Sequence, residues 1–146
     1  MSHTPSLTRR IAIGKGIGLA VGLIGFFTLP VIYPEAPWQL RWGVMLWYVT
    51  FGAVIGMAGV YTRHPVLLLP MPWWVRAPLI GAWLNFVLVF FAHEEMSKIM
   101  TAMFGPDGMM SSPFWFVLEG AIIGAVIGYV ATKFAGEGPE TVQPGS

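Results

Sequence analysis

Among the ionisable residues of this chain, Glu119 makes the strongest demand on its surroundings. It lies six residues beyond Pro113 in an otherwise apolar stretch. At 1.5 Å of rise per residue it sits roughly 9 Å down a helix that starts at that proline. A charge at the centre of a bilayer costs at least about 2.5–3.5 kcal/mol on insertion scales, so a carboxyl group there has to be paired, hydrated or protonated. The preceding apolar stretch runs on into His93-Glu94-Glu95-Met96-Ser97-Lys98, and only a short loop separates the two. They should therefore be antiparallel neighbours, with Glu119 level with Ala92 and His93, and with Thr28 and Tyr48 near the same depth. The chemistry on offer is proton or cation exchange. Glu119 would be the coupling carboxyl, His93 a group suited to exchange near neutral pH, and Glu94 and Glu95 would stand just above. The plainer alternative pairs Glu119 with His93 or Lys98 and merely locks the hairpin.

A second constellation is His93, Met96, Met100 and Met103, spaced to share one helix face, with Met109 and Met110 following in the loop. Thioether and imidazole ligands suit monovalent copper. Methionine, however, also fills irregular apolar interfaces, and such a stripe is what any packed helix face looks like. Copper is thus a remote alternative, and no other cofactor is expected. His64 and His93 should lie at opposite membrane faces and so cannot share a haem. Gly14-Lys15-Gly16-Ile17-Gly18 has neither the strand context nor the spacing of a nucleotide loop, and Lys15 should snorkel to the surface. Asn85, in mid-span, should bond a neighbouring helix, and a lone amide says little about function. Without cysteine there is no disulfide, thiolate metal site or catalytic thiol. No nucleophile with a positioned base is evident, so catalysis is not expected, although a membrane-embedded acid beside a histidine could act on lipid.

The elements that must hold these residues are legible from composition. The chain is 55% hydrophobic and 10% charged, against roughly 25% charged in a soluble domain, and its apolar residues come in long blocks. Four blocks are long enough to cross the hydrocarbon as helices, at about 20 residues each: 11–32, 40–61, 77–98 and 113–134. This predicts an all-α integral membrane protein, a compact four-helix bundle, flanked by a short segment 1–10 and a disordered tail 136–146 rich in Gly, Pro and Glu. Pro78 suits the first turn of the third helix. Ser112 followed by Pro113 reads as an N-cap with proline at the first helical position. The third helix meets no breaker until Gly105-Pro106. Trp38, Trp42, Trp73, Trp74 and Trp115 mark headgroup depth, while Trp47 and Trp83 fall deeper. The connection from Arg63 to Arg76 is too proline-rich for a helix and too apolar for free solvation, so it should lie in the interface.

Arg9, Arg10, Lys15, Arg63, Arg76 and Lys133 gather on one face and Arg41 and Lys98 on the other, which puts both termini in the cytoplasm, with a bacterial inner membrane as the expected setting. Thr8-Arg9-Arg10 before an apolar run suggests an export signal only loosely. The run is too long, and no A-x-A-like site precedes Tyr33-Pro34-Glu35. The net charge of +1 and the lack of a basic patch exclude a nucleic-acid partner.

The most specific pattern is glycine at four-residue spacing: Gly14, Gly18 and Gly22; Gly52 and Gly56; Gly120, Gly124 and Gly128. Each run lies along one helix face and lets a neighbouring backbone approach closely. The grooves can pack the helices within one chain, or at least one of them can form an oligomer interface. The preferred expectation is a non-catalytic membrane subunit that associates with itself or with a larger complex. The alternative is a small proton- or cation-coupled transporter or channel built on Glu119, His93, Glu94 and Glu95.

Overall fold

The computed structural model describes residues 4–143. It contains α1 (Leu7–Ile32), α2 (Trp38–Ala58), α3 (Trp73–Phe91), α4 (His93–Phe104) and α5 (Trp115–Ala135). Of these, α1, α2, α3 and α5 are long and apolar enough to cross a membrane. The described residues form no strands beyond an isolated bridge between Arg63 and Pro70. The four expected spans are thus present as a multi-pass helical bundle, arranged as two antiparallel pairs, α1 with α2 and α3 with α5.

The pairing follows from the glycines. A Cβ added at Gly14 would collide with the Gly52 carbonyl, and one added at Gly52 would collide with that of Gly14. Gly18 meets the backbone of Tyr48, Gly22 that of Met45 and Gly56 that of Arg10, so α1 and α2 touch backbone to backbone along most of their length. Gly81 and Gly120 make the same reciprocal contact between α3 and α5, extended by Gly124 against Ala77. In lipid, where apolar surface gains nothing by leaving its solvent, such close contact is what drives helices together. The glycine runs therefore pack helices within the chain. Tyr48, Phe51, Ile55, Ala77 and Ile127 fill the seam between the two pairs.

Helix α1 begins with Ser6 as N-cap, its Oγ accepting from the Arg9 N–H at 3.3 Å. Pro30 lies inside α1 and has no N–H to give the Phe26 carbonyl. Arg41 supplies the missing donor, its Nε reaching that oxygen at 3.0 Å while its guanidinium stacks over Phe26 and Trp38.

Three local expectations are corrected. First, the third span does not continue straight past Ala92. That residue leaves helical geometry (φ −118°, ψ 29°), and α4 starts anew at His93. The bend needs neither proline nor glycine, because the Ala92 N–H still donates to Leu88 and its carbonyl still accepts from Met96. It turns the apolar face of α4 (Met96, Ile99, Met100) onto the bundle, where Met96 and Ile99 pack with Leu29, while Glu94, Lys98 and Thr101 stay outside. Second, α3 begins at Trp73, leaving Pro78 inside the helix. Helix α5 begins at Trp115, although the Ser112 Oγ does accept from the Phe114 N–H at 3.3 Å as a cap would.

Third, the tail from Gly136 through Gln143 is folded. Gly136 and Gly138 take positive φ (70° and 91°), reversing the chain over the end of the bundle. There the Gly138 N–H donates to the Gly59 carbonyl at 2.8 Å and Thr141 is buried. The composition suggested disorder, but buried arginines on the neighbouring helices give this segment its partners.

Candidate functional site

Asn85 is fully buried at the centre of the bundle. It lies on the small-residue face of α3 with Ala77, Gly81 and Val89, each four residues apart. Room for it is made by Gly120, where a Cβ would stand 2.9 Å from the Asn85 side chain. Its Oδ1 accepts from Trp47 Nε1 at 3.0 Å, and its Nδ2 donates to the Phe116 carbonyl at 2.8 Å and to the Tyr48 hydroxyl at 3.3 Å. The Tyr48 hydroxyl donates in turn to Glu119 Oε1 at 2.6 Å, the short distance expected of a bond to a carboxylate. This chain of bonds ties α2, α3 and α5 together and fixes the Glu119 carboxyl. The lone amide that the sequence discounts is its hub.

The two helix pairs meet at this layer and at the end bearing the termini. At the opposite end they part around a cavity of about 570 Å³ between α1, α2, α4 and α5, within the range of small-ligand sites. Its wall is mostly aliphatic, with Glu119, Tyr48, Glu95, Thr28 and Gln39 as the polar exceptions. Among the described residues, no lysine, arginine or histidine lines it. Glu95 gives one oxygen to Lys98 Nζ at 3.5 Å, whereas its Oε2 is buried without a hydrogen-bond partner.

His93 is not beside Glu119. The bend at Ala92 carries it to a separate outer groove with Tyr33, Glu35, Glu94 and Lys98, its ring edge-on to Phe114. Glu94 and Lys98 pair at 3.0 Å across one turn of α4, and this hydrogen bond first, helped by the negative charge of both Glu94 and Glu95, holds the Lys98 ammonium above the ordinary lysine range. The hairpin lock between Glu119 and His93 or Lys98 is therefore absent, and Tyr48 takes that place. Thr28 turns its hydroxyl back to the Ile24 carbonyl. The methionine stripe is divided as well. Met96 and Met103 line the inner cavity and His93 the outer groove, while Met100 is buried. No cluster of three His, Cys, Asp or Glu among the described residues could hold a metal ion.

A second polar centre was hidden in residues that read as topology markers. Arg10 is wholly buried, its Nε donating to the Gly56 carbonyl at 2.9 Å and its Nη1 to Thr132 Oγ1 at 3.1 Å and to the Gly136 carbonyl. Arg76, 3% exposed, reaches the carbonyls of Tyr61 and Met71 at 2.7 Å and pairs with Glu137 at 2.8 Å. The signal for Arg10 lies in its spacing, since it precedes Gly14, Gly18 and Gly22 at the same four-residue interval and shares their buried face.

The chain matches no protein-family model, no curated protein and no solved structure, so any functional reading rests on this geometry.

Proposed function

We propose that this protein is a small proton- or cation-coupled transporter or channel, with Glu119 as the coupling carboxyl. The observation that carries the reading is the position of Glu119. It is the one carboxylate in the four spans, one oxygen is held by Tyr48, and it lines a cavity large enough for a small molecule. A carboxyl maintained in lipid at a cost of about 2.5–3.5 kcal/mol marks an ion or substrate path by default. The Tyr48–Asn85–Trp47 chain pre-orients it, as a site that exchanges a proton for a cation requires. The distribution of Lys and Arg supports a bacterial inner membrane with both termini cytoplasmic and the cavity in the outer half.

The test is flux in reconstituted vesicles, followed with a pH-sensitive dye under an imposed gradient. Glu119→Gln keeps the size of the side chain and an acceptor for Tyr48, so the fold should persist while proton or cation flux is lost. Flux equal to wild type in a well-folded Glu119→Gln protein refutes the reading. A purely associative membrane subunit would tolerate that substitution. It would also need an interface other than the glycine faces, which α1–α2 and α3–α5 already occupy.

A further inference from the structure

We infer that the cavity beneath α4 binds a lipophilic organic cation, an amine or quaternary onium with an apolar body, held between the carboxylates of Glu119 and Glu95. This rests on the transport reading above and specifies its substrate class. The wall is apolar enough to exclude small hydrated ions, which would lose their water without replacement. Yet the charged groups lining the cavity are both acidic and its described lining residues include no cation. Lys98, which meets Glu95 Oε1 at 3.5 Å, stands in the outer groove and leaves Oε2 and Glu119 without a positive partner. Glu95 Oε2 is buried and unpartnered, a state that costs free energy unless something brings a donor or a positive charge. An organic cation supplies that charge, while its apolar body takes the place of lipid against the aliphatic wall. Trp47, Tyr48 and Phe116 add aromatic lining, the surface that attracts onium groups. Ile24 and Met103, both exposed, also line the cavity, so a ligand dissolved in the membrane can reach it from the side.

Two probes of the same shape and opposite charge, tetraphenylphosphonium and tetraphenylborate, separate charge recognition from simple partitioning into lipid. Each is titrated calorimetrically into the full chain in lipid nanodiscs, with empty nanodiscs subtracted. The phosphonium should bind saturably at one site per chain and the borate should not. Glu95→Gln should weaken phosphonium binding about tenfold or more, the scale of one charge-assisted contact.

Gly43→Leu provides a second variant that leaves both carboxylates intact. Gly43 lines the cavity, and a Cβ there has no neighbour within 4 Å, so leucine should fill the space, favour the helix and abolish binding. Equal binding of the two probes, no phosphonium binding, or unchanged affinity in both variants overturns the inference. If phosphonium fails to bind while Glu119→Gln still abolishes proton flux, the substrate class is wrong and the coupling role of Glu119 stands. If phosphonium binds as expected and Glu119→Gln leaves flux unchanged, the cavity is a cation site but Glu119 is not the coupling group.

Discussion

Replacing Arg10 with alanine removes three hydrogen bonds in one step, to the Gly56 carbonyl, Thr132 Oγ1 and the Gly136 carbonyl. It also empties the space against Gly59, where the guanidinium packs so closely that a Cβ would overlap it. Bonds from a charged donor are worth about 1.5–3 kcal/mol each, so a simple sum over three would run to about 4.5–9 kcal/mol. That sum is an upper bound, because the charge is removed along with its bonds and the acceptors, lying near helix ends, can recover water. Each neutral acceptor left buried without a donor costs about 1–3 kcal/mol, and with water reaching some of the three a total of about 3–5 kcal/mol, toward the lower end of their sum, is the better guide. At about 2–4 °C per kcal/mol, the unfolding midpoint should fall by about 6–20 °C, followed by tryptophan fluorescence in a mild detergent. Since Gly136 opens the folded tail, the same variant should expose residues 136–143 to a non-specific protease before the helices unfold. Arg10→Lys keeps the charge but not the fork, and should fall between wild type and Arg10→Ala. A midpoint within about 2 °C of wild type, with the tail still protected, would show that Arg10 is a snorkelling surface charge and that the burial argument is wrong.

Neighbouring glycines of α1 should respond oppositely. Gly14→Leu forces α1 off α2 and should prevent a stable monomer, whereas Gly16→Leu, which meets nothing within 4 Å, should leave gel-filtration behaviour and melting unchanged. Tyr48→Phe removes the donor to Glu119 and should lower stability by about 1.5–3 kcal/mol, with Asn85→Leu worse because three partners lose contact together; equal melting of Tyr48→Phe and wild type would argue against the bond. Lys98 holds its proton to higher pH than an ordinary lysine because of Glu94. Its acylation rate at pH 9 should therefore rise in Glu94→Gln, and because its proton is held more tightly in the folded state, the pairing contributes below the ordinary lysine range and fades as pH climbs above it. Glu137→Gln should loosen the tail in a salt-dependent way, read as faster proteolysis of residues 136–143.

The spans were legible because lipid imposes a length and an apolar composition that no other environment demands together, and the depth of Glu119 followed from helical rise alone. The partners of Glu119 were not legible. Rise per residue fixes level but not the direction a side chain takes around the bundle axis, so His93 and Tyr48 were equally placed by depth and only the bend at Ala92 separates them. That bend had no breaker to announce it. Its cause is the change from an apolar segment to the amphipathic α4, a contrast present in the sequence but easily absorbed into one long helix. Gly81 gives no spacing signal because it stands singly on α3, although it makes the contact with Gly120 that sets the α3–α5 pair. Arg10 and Arg76 were legible as charges at one membrane face and illegible as buried donors, since their acceptors are mostly backbone carbonyls, which every sequence contains equally.

The folded tail also sets an order in time. Helices α1 and α2 are joined by a short turn and can close face to face as soon as both have left the ribosome. The α3–α5 pair must wait for α4 and the loop after it. Arg10, at the very start of α1, finds its last acceptors only on Thr132 and Gly136, some 120 positions later along the chain. During that interval a guanidinium destined for complete burial has to be kept hydrated or bound to lipid phosphate at the membrane surface. The start of α1 is therefore fastened only after α5 and Gly136 have been made, and loss of residues 136–143 should leave an assembled but unlatched pair of hairpins whose first helix remains exchangeable with the bilayer.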